Sequence, residues 1–144
     1  MTPERFQVRE LITTGTQTIF IDPNFDFVGS VTLRLLASQP DITETTLTVN
    51  GPPVSLSPVP GQNAVYTVEG ASGQQLTLHF TNNTMGKIIV EVIRPDDSPL
   101  SFHMNSGTSF DVPTFVLPFA GTYKIRIDPY RANSGTVTFN VTSP

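Results

Sequence analysis

The sequence predicts an all-β protein: a jelly-roll-like, two-sheet antiparallel β-sandwich with an extra N-terminal strand unit. Three observations carry this expectation. Apolar and polar residues alternate with a period of two along most of the chain, clusters of turn-forming residues interrupt the alternation roughly every 8–14 residues, and no stretch shows the 3.6-residue period of an amphipathic helix. Leu33 to Ala37 is too short to make a helix and Pro40 follows closely.

The alternation can be followed in order. Leu47 and Val49 alternate with Thr46 and Thr48, and Val54 and Leu56 flank Ser55. Ala64, Tyr66 and Val68 point one way, with Val65, Thr67 and Glu69 opposite; Leu76, Leu78 and Phe80 repeat the pattern around Thr77 and His79. Residues Ile88 to Ile93 are nearly all apolar, broken by Glu91, which predicts a central strand covered on both faces. Tyr123, Ile125 and Ile127 face away from Lys124 and Arg126, and Val137, Phe139 and Val141 alternate with Thr136, Thr138, Asn140 and Thr142. Phe80, Phe110, Phe115, Phe119 and Phe139 are expected in the core. Turn signals stand between the runs at Asn50-Gly51-Pro52-Pro53, Pro60-Gly61, Gly70 to Gly73, Asn82-Asn83, Pro95 to Ser98, Asn105-Ser106-Gly107 and Asn133-Ser134-Gly135.

Composition agrees and narrows the function. Charged residues make up only 14% of the 144 residues and prolines number 13, a balance that suits short strands and tight turns. The net charge is −4 and the eight Lys and Arg are scattered, so no phosphate-binding surface is expected and nucleic acid is excluded as a partner. No apolar run is long enough to span a bilayer as a helix, so membrane insertion is not expected, and Met1 to Arg5 lacks the apolar region of a signal peptide. The absence of cysteine rules out disulfides, zinc–thiolate sites and thiol nucleophiles.

An internal repeat organises the chain. Residues 11–35 align without a gap with 117–141, at a constant offset of 106, and Leu11, Gly15, Thr16, Ile19, Ile21, Asp22, Pro23, Gly29, Val31 and Thr32 meet identical residues in the second copy. Both copies read as strand, Asp-Pro turn, glycine, strand, a repeated supersecondary unit. Residues 41–144 have room for a complete sandwich with its own copy of this unit, so residues 1–40, and 6–36 in particular, are surplus. A few strands with an apolar face are marginal alone in water. They belong to a preceding or partner domain, and Ile19, Ile21, Phe25 and Phe27 are the residues expected to mediate association with other copies or adjacent repeats.

With Gly121 to Pro129 followed by Gly135 to Thr138, and with Val49 to Val54, Pro60 to Ala64, Gly73 to Leu76, Arg94 to Asp97 and Leu117-Pro118 in the same order, most of residues 48–144 resembles the bacterial pre-peptidase C-terminal-like domains, especially those in tandem in large surface and Rhs/YD-repeat proteins. The resemblance implies a non-catalytic jelly-roll module, extracellular or on the cell surface, adhesive or carbohydrate-binding. Asp97 stands where those repeats commonly carry glycine.

Catalysis is not expected. His79 and His103 are the only histidines, and no Gly-x-Ser-x-Gly elbow accompanies them. Asp96 and Asp97, adjacent in one turn, are the candidate calcium ligands, against the simpler reading that an Asp here shapes the turn; no other cofactor is expected. Glycan binding would need an exposed ring with polar neighbours, and Tyr130 with Arg131 is the candidate, although the chain has no tryptophan. The principal expectation is a structural module that associates with its neighbours; the alternative is a carbohydrate-binding accessory module.

Overall fold

A computed structural model describes residues 14–23, 26–33 and 39–144, with the backbone alone described at 44 and 45. The chain divides into two compact units, Met1–Leu35 and Leu36–Pro144. The second holds nine strands: β1 (Ile42–Leu47), β2 (Val54–Leu56), β3 (Ala64–Gly70), β4 (Gln75–Thr81), β5 (Ile88–Ile93), β6 (Pro99–Asn105), β7 (Phe110–Val116), β8 (Gly121–Pro129) and β9 (Val137–Thr142). Among the described residues of the first unit there is no strand.

One sheet has the order β1-β3-β8-β5-β6 and the other β2-β9-β4-β7. Strands β2 and β9, β3 and β8, β4 and β7, and β5 and β6 pair antiparallel. The chain from β2 to β9 is thus one long hairpin, folded at the β5–β6 turn and rolled so that successive pairs fall in alternate sheets. That is jelly-roll topology. Strand β1 is added at the edge of the larger sheet, parallel to β3.

The inward faces are those the alternation marks. Ala64, Tyr66, Val68, Ile88, Val90, Val92, Tyr123, Ile125 and Ile127 from one sheet meet Leu56, Leu76, Leu78, Phe80, Val112, Phe115, Val137, Phe139 and Val141 from the other. Phe139 sits at the centre, edge-on to Tyr66 (ring centroids 4.8 Å) and stacked on Phe80 (5.2 Å), which itself stacks on Phe110 (4.9 Å). Phe119 departs from the core expectation and is 39% exposed, because it lies in the loop before β8. Strand β5 is central as expected, with β6 and β8 on its two edges, but only its inner face is buried; Ile89, Glu91 and Ile93 remain partly open.

Strands β6 and β7 are not legible as alternation. Strand β6 is an edge whose residues are only half-buried or exposed, with Phe102 and Met104 facing outward. Strand β7 carries Pro113, tolerated because it too is an edge, and its pairing with β4 slips in register between Leu76 and Leu78.

Tyr123 ties the start of β8 to the loop that precedes it. Its ring is fully buried and its hydroxyl donates to the carbonyl of Phe119 at 2.7 Å, an arrangement like the tyrosine corners of other sandwiches. Replacing it by phenylalanine keeps the packing and removes the donor. Tyr123→Phe is expected to lower stability by about 1–2 kcal/mol, measurable as a shift in urea midpoint without a change in slope.

Candidate functional site

The two copies of the repeated unit have different fates. In the C-terminal copy the first arm is β8, hydrogen-bonded to β3 on one edge and β5 on the other, and the second arm is β9, between β2 and β4. These are interior strands of their sheets. Ile125, Ile127, Val137 and Phe139 are at most 1% exposed. The N-terminal positions in the same register are Ile19, Ile21, Val31 and Leu33, exposed by 49%, 51%, 73% and 59%. Phe20, Phe27 and Val28 add further exposed apolar surface. The backbone nevertheless begins alike in the two copies, with φ of 144° at Gly15 and 150° at Gly121, a region where glycine is favoured. Phe25, expected to act with Phe27, lies outside the described residues.

The Asp-Pro turn of the C-terminal copy holds Tyr130 and Arg131. Both are half-buried. Tyr130 donates its backbone N–H to the carbonyl of Lys87 (2.9 Å). Its ring is engaged by two cations, with Lys87 Nζ 4.7 Å and the Arg131 guanidinium 4.8 Å from the centroid. Arg131 takes a φ of 60°.

Asp96 and Asp97 diverge from their shared turn. Asp96 Oδ1 accepts from the Ser98 hydroxyl (2.5 Å) and the Ser98 amide (3.0 Å), and the hydroxyl bond foremost holds its carboxyl below the usual carboxylate range. Asp97 has a φ of 64°, which explains why glycine suits this position in similar repeats, and its carboxylate meets Lys124 Nζ at 2.6 Å. A calcium ion would have to draw these carboxylates away from Ser98 and Lys124. Among the described residues no group of three or more His, Asp or Glu is placed to hold a metal.

One polar constellation has no counterpart in a sequence motif. His79 on β4 lies between Asp111 on β7 and Thr142 on β9, with Nδ1 2.7 Å from Asp111 Oδ1 and Nε2 2.8 Å from Thr142 Oγ1. The three residues are on adjacent strands, so only the sheet register brings them together. The connectivity is that of a carboxylate–imidazole–hydroxyl triad, but it runs across the outward face of the sheet, with Asp111 62% exposed. Acyl transfer also needs donors converging on a developing oxyanion, and the flanking backbone is engaged in the β4–β7 and β4–β9 ladders. The row therefore reads as a cross-strand hydrogen-bond ladder. His103, on β6, packs against Phe110 (5.9 Å), and its Nε2 is buried without a hydrogen-bond partner. A small cavity of about 160 Å³ opens between the β1 and β2 edges, lined among others by Thr46, Pro52, Ser55, Tyr66 and Asn140.

No protein-family model matches the chain, and no curated protein matches it. Solved structures do. The pre-peptidase C-terminal domain of collagenase from Bacillus anthracis aligns with a TM-score of 0.55 at 15% identity, covering 75% of this chain and 99% of that domain. The sandwich has the fold of a pre-peptidase C-terminal domain. Two periplasmic inhibitors of g-type lysozyme have a similar fold: that of Aeromonas hydrophila (TM-score 0.51, 18% identity, 70% of this chain and 95% of that one) and that of Salmonella Typhimurium (0.52, 13%, 72% and 99%). At these identities the likeness concerns the pre-peptidase C-terminal-like fold alone.

Proposed function

We propose that this chain is a non-catalytic β-sandwich module, extracellular or on the cell surface, that associates with neighbouring sandwiches of its own kind through residues 11–35. It serves as a building block of a tandem array or filament. The observation that carries this reading is the contrast between the copies: the residues that fill the core as Ile125, Ile127, Val137 and Phe139 recur as Ile19, Ile21, Val31 and Leu33, where they are exposed. So many exposed large apolar residues in one short stretch of sequence support an interaction site. A place outside the cytoplasm is supported by the similar folds, a collagenase domain and periplasmic inhibitors. A protein partner, rather than a small substrate, suits a segment that repeats the residues of two sheet-forming strands.

Sedimentation velocity on the full chain and on residues 36–144 tests this. The full chain is expected to sediment faster as its concentration rises, and the shortened chain to stay monomeric with the same melting temperature. A full chain whose sedimentation does not change with concentration, like that of the shortened chain, would refute the reading.

A further inference from the structure

We propose that residues 15–33 are the last two strands of a second sandwich: they are completed by entering the middle of both sheets of a neighbouring sandwich of this topology that lacks its own β8 and β9. The proposal rests on the association reading above and names the acceptor.

The register defines the vacancy. Strand β8 separates β3 from β5 through the pairs Tyr66–Ile125 and Val92–Ile125, and β9 separates β2 from β4 through Val54–Phe139 and Phe80–Phe139. A sandwich without these strands has one gap in each sheet, and both gaps open onto the core. Residues 15–33 carry what such gaps demand. Their alignment with 121–139 has no gap, so the connection that carries the chain from one sheet to the other has the same length in both copies. Gly15 already has the φ of Gly121. Ile19, Ile21, Val31 and Leu33 match the inward positions of β8 and β9. An isolated pair of this kind cannot bury these side chains, because its two arms belong to different sheets and make no hydrogen bonds with each other.

What the N-terminal copy lacks makes an intact copy of this chain a weaker acceptor than a sandwich without β8 and β9. In an intact copy the site is filled by residues 121–129 and 137–142, which make contacts that the N-terminal copy cannot. Tyr123, with its bond to the Phe119 carbonyl, is replaced by Gln17. Lys124, paired with Asp97, is replaced by Thr18. Arg126 is replaced by Phe20; it faces Glu91 at 3.6 Å, and with the Asn63 amide turned to satisfy both neighbours it donates to the Asn63 oxygen at 3.0 Å. The native pair competes for its place, so identical chains associate weakly and only as their concentration rises.

The same change describes the acceptor. Arg126 lies across from Val65 on β3 and Glu91 on β5. In the acceptor, Phe20 occupies that place on the outer face, so the residue opposite it on the fifth strand is apolar where this chain has Glu91. Cross-strand pairing of an aromatic with an aliphatic residue then replaces the ion pair.

A graft within the full chain tests this. Residues 124–141 are replaced by the sequence of 18–35, retaining Gly121 and Tyr123, in the parent background and with Glu91→Leu; a scrambled version of the grafted sequence is the control. The graft is expected to melt cooperatively with the circular dichroism of the sandwich, at a higher temperature with Glu91→Leu than with Glu91, and the scrambled control to show no transition. A graft no better folded than the scrambled control in both backgrounds overturns the proposal. If that occurs while residues 1–35 still drive sedimentation, the association reading survives and only the strand assignment falls. A cooperative graft in a chain that never associates upholds the strand assignment and removes the association reading.

Discussion

Ile125→Asp is expected to abolish cooperative folding, whereas Ile19→Asp, the same change in the other copy, is expected to leave the melting temperature within about 2–3 °C of the parent. Ile125 is fully buried, facing the core from an interior strand between Tyr66 and Val92. The substitution removes an aliphatic side chain, at a cost of about 2–5 kcal/mol. It also places a carboxyl in an apolar site, where it must lose its charge or remain unsolvated. Together these approach the whole stability of a small domain, about 5–15 kcal/mol. Ile19 is half exposed, so an aspartate there keeps its water. Its effect should fall on association: in sedimentation velocity, Ile19→Asp should behave like the chain that lacks residues 1–35. Thermal melts by circular dichroism and sedimentation of the two variants read both effects. Equal destabilisation by the two substitutions would mean that the copies share one environment.

The second large effect concerns the paired glycines. Gly135 has a φ of 145°, and a Cβ placed there would stand 2.7 Å from Thr84 Oγ1, 3.0 Å from the Thr84 carbonyl carbon and 3.1 Å from the Met85 amide nitrogen. Two of these three are backbone atoms and cannot rotate aside. The loop is further fixed by the Thr84 amide bond to the Thr136 carbonyl (2.9 Å) and the Thr136 amide bond to Thr84 Oγ1 (2.9 Å). Conformational strain and the steric overlap together make Gly135→Ala cost about 2–4 kcal/mol in urea unfolding. At Gly29 nothing lies within 4 Å of such a Cβ, so Gly29→Ala should leave the midpoint unchanged.

The sandwich was legible where burial is one-sided. Strands β3, β4, β8 and β9 alternate cleanly because one face of each meets the core and the other meets water. Strands β6 and β7 were not, since edge strands bury too little to impose a pattern, and Pro113 interrupts the second. Alternation also fixes faces and not neighbours. That is why the row Asp111–His79–Thr142, assembled from three strands, has no trace in the sequence. The repeat was legible because both copies keep their glycines and their Ile-x-Ile-Asp-Pro run. Its opposite burial in the two copies was not, because identical residues carry no record of whether partner strands flank them. Asp97 lies between these cases: its unusual place in a turn was visible in the sequence, and its φ of 64° supplies the reason.

Amide hydrogen exchange read by mass spectrometry, on the full chain when dilute and when associated, tests most directly whether residues 11–35 become strands on meeting a neighbour. Peptides from 15–33 should exchange within seconds in the dilute chain and become protected on association, while peptides from β3 and β5 stay protected throughout. Association that leaves 15–33 unprotected, with new protection confined to the sandwich edges, would contradict it.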